Sequence, residues 1–276
     1  MKYMRKLIFN YFLFLSVSAN AQVHKIDHFF ASSPKADTLF NLFKSKFELP
    51  IEWDYKTYGN FSSGAVTLGN VAFEFVNSKG VSKTKFEGIA LLPQQTVEEI
   101  SIMLDDAKVN HDTIEPNTYM MNNGSIAGWS NMGLKSLLPE DISFFIYDYK
   151  NRSELAQSIK KTHDSLKSKN GGPLGIVLLK EIVIGSNKWS SYKNELRKLP
   201  GVNLSDNHLF IFKEGPSIRL VNSNNNGIEK IIIKVHSVDT AKKYLKSQNL
   251  LGDSTKNSVF INPAAIYGLL IEFTDQ

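Results

Sequence analysis

The feature that most limits how this chain can fold is a small unit of strand, helix and further strands that recurs four times. A repeat of that size fixes the architecture into which every local motif must fit. In the first copy Val23–Ser32 reads as a strand, with His24, Ile26, His28 and Phe30 on one face and Val23, Lys25, Asp27 and Phe29 on the other, because side chains alternate along a strand. Ser33-Pro34 then supplies a helix N-cap with proline at the first helical position. Ala36, Leu39, Phe40, Phe43 and Phe47 follow at the spacing of one buried helix face. Strands are predicted at Ile51–Tyr55, Phe61–Leu68 and Val71–Val76, the last two joined at Gly69-Asn70, a pair suited to a hairpin turn.

The same order returns three times. Phe86–Leu92 opens the second copy, and Thr96 with Glu99 forms a capping box ahead of Val97, Ile100, Met103, Leu104 and Ala107. Ser125–Trp129 and Ile142–Tyr149 complete it. The third copy runs through Leu174–Gly185, a helix over Lys188–Leu199, His208–Phe212 and Ser217–Val221. The fourth has Glu229–His236, a helix over Val238–Gln248, Val259–Ile261 and Leu269–Phe273. Between the second and third lies 151–172, rich in Ser, Lys and Asn. Leu155, Ile159 and Leu166 give its first part helical spacing, and its glycine-rich tail reads as a linker. The expected domains are therefore 22–150 and 173–276, two units in each.

The first 21 residues have the form of a secretory signal. Lys2, Arg5 and Lys6 precede the apolar stretch Leu7–Val17, and Ala19-Asn20-Ala21 fits cleavage before Gln22. The apolar stretch is short for a membrane span of about 20 residues. An exported protein, periplasmic or secreted and free of the membrane after cleavage, is the expectation. Without the three leader cations the balance is 29 basic against 27 acidic residues. No dense basic run remains to hold nucleic acid. The chain has no cysteine, which removes disulfides, thiolate metal ligands and a cysteine nucleophile. It also lacks the G-x-S-x-G, P-loop, dinucleotide and H-E-x-x-H motifs.

Ile26-Asp27-His28-Phe29-Phe30 opening such a unit, followed by Gly59-Asn60-Phe61-Ser62-Ser63-Gly64-Ala65 and closed by Leu68-Gly69-Asn70-Val71-Ala72-Phe73-Glu74-Phe75-Val76, resembles the glyoxalase-like branch of the vicinal oxygen chelate superfamily. Leu174-Gly175-Ile176 and Ile271-Glu272-Phe273 fit as well. The resemblance implies an α+β fold in which four βαβββ units pair into two glyoxalase-like half-barrel domains. It also implies metal ligands on the first and last strands of a unit, here His28 and Glu74, with a divalent Zn, Mn, Fe or Ni ion. Such an ion leaves open positions for an oxygen-bearing substrate. The fold hosts glyoxalases, dioxygenases, epimerases, thiol transferases and non-catalytic drug-binding proteins, so the reaction has to come from the site.

The residues lend that site partial support. Glu74 shares its strand face with Ala72 and Val76, while Phe73 and Phe75 point the other way. Ser63, Ala65 and Thr67 repeat the small face on the preceding strand. A carboxylate among small neighbours on a half-buried sheet calls for a cavity or a partner. His28 as a hydrogen-bonded strand residue and Glu74 as an ion-pair partner are the plainer alternatives. The positions equivalent to these two in the second unit, Ala90 or Leu91 and Phe145, bind no metal. Glu272 completes the shell only if the first and fourth units pair; sequential pairing leaves water, substrate or Asp148. Trp53, Phe61, Ser63 and Trp129 are the expected pocket lining, with ordinary core packing as the alternative for the aromatics.

Two functions follow. One is a metal-dependent lyase or isomerase acting on a small oxygen-bearing substrate, with Glu74 as base. The other is a metal-free protein that sequesters a small apolar or aromatic molecule in the same cleft. In both the partner is a small molecule, and a second copy of the chain is compatible with either.

Overall fold

The computed structural model of the chain describes residues 23–120, 126–205 and 208–276; the leader lies outside them. The first half has strands β1 (Val23–Ser32), β2 (Ile51–Tyr58), β3 (Phe61–Thr67), β4 (Ala72–Ser78), β5 (Lys85–Pro93), β6 (Glu115–Met120), β7 (Ile126–Gly133) and β8 (Ser143–Tyr149). They form one sheet in the order β2-β3-β4-β1-β5-β8-β7-β6. The second half repeats this with β9 (Ile176–Ser186), β10 (Asn203–Leu204), β11 (Leu209–Ile211), β12 (Ser217–Asn222), β13 (Gly227–Val235), β14 (Leu251–Ser254), β15 (Ser258–Ile261) and β16 (Ile271–Thr274). Their order is β10-β11-β12-β9-β13-β16-β15-β14. The architecture is α+β, two eight-stranded sheets with a few helices, and each sheet joins two βαβββ units through the antiparallel pair of their first strands, β1 with β5 and β9 with β13. The units therefore pair in sequence, first with second and third with fourth.

Helix α1 (Ala36–Asn41) runs on into a wider turn at Leu42–Lys46, and α2 (Val97–Asp106) starts at the Thr96/Glu99 capping box. The first helical segment covers one face of its sheet because that face is aromatic. Phe29 stacks on Phe73 at 4.5 Å, and Phe43 meets Phe73 and Phe75 at 5.3 and 5.1 Å. All of these rings are fully buried, each contributing about 2–3 kcal/mol. The opposite, concave face keeps Glu74 beside Ala72 and Ala65.

The stretch 151–172 is mostly helix. α3 (Arg152–Ser168) packs against β2, β3 and β8, so it lies across the first half-barrel. Arg152 ties its start to Asp148 and to the carbonyls of Pro93, Gln94 and Gln95. Leu166 is its only fully buried side chain. The remaining helices are α4 (Trp189–Leu196) and α5 (Val238–Ser247). Among the described residues no helix is long and apolar enough to cross a membrane.

The two halves meet at the turn before β4. Gly69 has φ +92°, and a Cβ there would sit 2.4 Å from the Val177 carbonyl oxygen, so only glycine fits this approach. Next to it Asn70 donates to Leu179 O at 3.0 Å and accepts from Leu179 N at 2.9 Å, acting as an extra strand residue along β9. Asn70→Ala leaves both groups of a buried backbone unpaired. We expect a loss of about 2 kcal/mol in urea unfolding.

Candidate functional site

On the concave face of the first sheet, His28 in β1 sits between Ala72 of β4 and Ala90 of β5. These small neighbours leave room for its ring. Two positions along, Glu74 lies opposite Phe30 and Ala65, so the two functional groups meet on a diagonal between adjacent strands. His28 Nε2 is 3.7 Å from Glu74 Oε2.

A register shift adds a third group. Ile26 pairs with Leu91 and His28 with Ala90, leaving Asp27 as the extra residue of a β-bulge. Strict alternation puts Asp27 on the far face; the bulge turns it back, as bulges do. Its Oδ2 lies 2.9 Å from His28 Nδ1 and accepts from the Tyr149 hydroxyl at 2.7 Å. Burial alone would push the Asp27 carboxyl up, but the bonds from His28 and Tyr149 and the imidazole charge hold it below the usual range. Burial works against a charged His28, yet Asp27 and Glu74 raise its pKa above the ordinary histidine value. Burial raises the Glu74 carboxyl, with His28 and Ser63 pulling the other way. Burial and Asp27 push Tyr149 far up, so it stays a neutral donor. The core of the site is an aspartate–imidazole pair whose second nitrogen faces a carboxyl.

Aromatic rings surround it. Trp53, Phe145 and Tyr147 all meet the His28 ring edge-on, with centroids 6.0, 6.0 and 5.3 Å away. Trp53 Nε1 donates to Ser63 Oγ at 3.3 Å, and Trp129 stacks on Tyr147 at 5.7 Å. Of the expected lining, Trp53, Ser63 and Trp129 thus come to the site. Phe61 is placed further along β3, stacked on Tyr58.

Two expected contributors are elsewhere. Asp148 points to the opposite face of β8, where it accepts from Val97 N at the start of α2 and from Arg152. Glu272 belongs to the second sheet and is bound to Lys230 at 2.6 Å. The corresponding registers explain this. Glu181 pairs with Ser217 as His28 pairs with Ala72, and Ile232 pairs with Glu272 as Ala90 pairs with Phe145. Glu272 therefore occupies the Phe145 position. The His28–Glu74 diagonal is matched by Glu181 and Arg219, which form a two-pronged ion pair at 2.5 and 3.0 Å. Charges on the second floor neutralise one another locally; those on the first remain directed at the cleft.

Asp27, Phe145, Tyr147 and Tyr149 were missed as site residues. The alternation Phe145-x-Tyr147-x-Tyr149 was a readable signal of one aromatic face. The bulge at Asp27 has no sequence signature.

A divalent metal needs more than this site offers. A catalytic zinc site has three protein ligands. Here Nε2 and Oε2 converge, but the neighbouring positions hold Ala90 and Phe145, and Asp27 is engaged by His28 and Tyr149. Among the described residues no three His, Cys, Asp or Glu side chains are arranged to hold a metal ion. The residues present do not fit a resident metal of that kind.

Solved structures place the architecture. A hypothetical protein from Staphylococcus aureus superimposes with TM-score 0.63 at 11% identity, over 91% of this chain and 99% of that one. A homoprotocatechuate 2,3-dioxygenase variant from B. fuscum gives 0.60 at 10%, over 94% and 73%. The Mn(II)-bound glyoxalase from Novosphingobium aromaticivorans gives 0.54 at 13%, over 92% and 82%. The described residues share the glyoxalase-like fold of these structures. At such identities the likeness concerns the fold alone. No protein-family model and no curated protein matches the sequence.

Proposed function

We propose that the concave floor of the first half-barrel binds a small aromatic or apolar molecule that carries an oxygen function, without a resident metal. The observation that carries this reading is the Asp27–His28–Glu74 row beneath Trp53, Trp129, Phe145 and Tyr147. Asp27 fixes the imidazole through Nδ1, which leaves the Nε2 proton to a ligand oxygen. The rings take the apolar part, where a stacked or edge-on aromatic adds about 1 kcal/mol beyond burial. Glu74 is placed to accept a proton from a bound hydroxyl. We further propose that the protein works outside the cytoplasm once residues 1–21 are removed.

The test uses phenol and benzaldehyde with chelator-treated protein, read by tryptophan fluorescence. Saturable quenching that persists without metal is expected, and Trp53→Ala should weaken it about ten-fold. No saturable change from either probe overturns the reading.

A second reading, metal-assisted lyase or isomerase chemistry, is favoured by one feature. A carboxylate anchors His28 Nδ1, as it does for many metal-bound histidines, and Nε2 faces an acid. Two protein donors hold a divalent ion weakly. Adding Mn(II) or Zn(II) is therefore expected to leave the melting temperature unchanged in wild type and in His28→Ala alike. A stabilisation lost in His28→Ala would move the conclusion to this second reading.

A further inference from the structure

Behind the Asp27 carboxyl, between the sheet and α3, lies a covered cavity that shares Asp27 and Trp53 with the ligand site and is also lined by Lys25, Glu52 and residues of α3. Its volume is about 40 Å³, and a single water needs about 10–15 Å³. The space suits a polar head group and excludes an aromatic ring. Among the described residues, five buried side-chain atoms lack a hydrogen-bond partner, and three of them belong to residues lining this cavity: Asp27 Oδ1, Glu52 Oε1 and His163 Nε2. Buried polar atoms are seldom left so.

The placement of the two acids has a common cause. Ile51 pairs with Val66 and Trp53 with Ala65, so Glu52 is the extra residue of a bulge in β2, as Asp27 is in β1. Two independent bulges thus aim carboxyl groups into one space. The Glu52 side chain is 4% exposed; its other oxygen accepts from Thr162 at 2.9 Å, and Oε1 lies 3.5 Å from His163 Nε2, beyond a good bond. Trp53 and Tyr149 add aromatic walls.

We infer that this cavity is a binding site for a protonated primary amine. Acceptor oxygens on two sides match an ammonium's three donors, and aromatic rings attract a cation at their faces. Leu155 and Ile159 of α3 offer an apolar path for an attached chain. Lys25 also lines the cavity and is the competing cation within the chain. Groups facing the bound amine are Lys25 and Asp27 from β1, Glu52 from β2, Tyr149 from β8 and His163 from α3. Burial raises the Glu52 carboxyl to about 7, while burial and Lys25 lower His163. A cation beside Glu52 favours its ionised form, so binding strengthens as pH rises through 7 and releases a proton there.

Methylammonium and butylammonium chloride are titrated calorimetrically into the purified protein at pH 7, in two buffers of different ionisation enthalpy. Sodium chloride and butanol serve as controls. Saturable binding of the amines alone, with proton release, is expected. Glu52→Gln, isosteric and neutral, should weaken binding about ten-fold and abolish the release, and Lys25→Met should tighten it. Tighter binding of butylammonium identifies the end of a larger amine; preference for methylammonium identifies a free small cation. Equal heats from sodium or butanol, or unchanged binding in Glu52→Gln, overturn the inference. Phenol binding should be the same in Glu52→Gln and wild type, so a failure here stays distinct from a failure of the ligand site in front.

Discussion

Asp27→Ala is expected to destabilise the protein by about 4 kcal/mol at pH 6, a large part of the 5–15 kcal/mol that holds a typical domain together. Two buried groups lose their acceptor at once: the His28 ring, 2.9 Å away, and the Tyr149 hydroxyl, 2.7 Å away. Removing one member of a buried charge pair costs about 3–5 kcal/mol, and an orphaned hydroxyl adds about 1–3 kcal/mol. The imidazole can relieve part of this by shedding its proton. The folded pKa of His28 is raised, so its contribution is complete below the ordinary histidine range and is lost as pH climbs through the folded value. The folded pKa of Asp27 is lowered, and its contribution is lost as pH falls through that value. Urea unfolding should show the widest gap between wild type and variant from above the carboxylate range up to about pH 6, narrowing as pH climbs through the folded His28 value. Asp27→Asn keeps an acceptor for Tyr149 and should fall between the two. A gap independent of pH would mean that the pair is not ionised.

What the sequence reveals about this site follows from what periodicity can encode. Side-chain alternation separates Phe73 and Phe75, which hold the helical layer, from Glu74, which faces the cleft, and the structure keeps that division. The Thr96/Glu99 box marks its helix start because each residue satisfies a free backbone or side-chain group of the other. Bulges escape such reasoning. One extra residue in a strand changes no composition and no spacing outside the strand, yet it turns the Asp27 and Glu52 carboxyls toward the cavity under α3. Pairing of whole units is equally silent: the first strands of all four are apolar enough to join any other. Only the observed order assigns Glu272 to the floor of the second sheet, paired with Lys230. The Ser, Lys and Asn content of 151–172 and its glycine-rich tail read as a linker, although the helical spacing of Leu155, Ile159 and Leu166 marks the side that α3 lays on the sheet.

Glu52→Gln is expected to stabilise the protein by about 3 kcal/mol at pH 8 and to leave it nearly unchanged at pH 4.5. Burial raises the Glu52 carboxyl from 4.5 to about 7, and each pH unit of such a difference corresponds to about 1.4 kcal/mol. Above pH 4.5 the unfolded chain releases this proton while the folded chain keeps it, so stability falls as pH rises and levels off beyond 7. The amide removes that dependence. It still accepts the Thr162 hydrogen bond and gains a donor for His163 Nε2. Urea unfolding of both proteins at pH 4.5, 6 and 8 gives the curve, and a constant difference across the three would show that Glu52 does not titrate in this range. A carboxyl that destabilises the fold by this much is a group better matched to a cation than to the protein around it. Stability given up at one buried position is the pattern expected of a binding site. The same curve measured with saturating butylammonium should flatten, because the amine lowers the Glu52 pKa toward its ordinary value. The gain from Glu52→Gln at pH 8 should then shrink or reverse. That exchange links the stability of the first half-barrel directly to what its covered cavity holds.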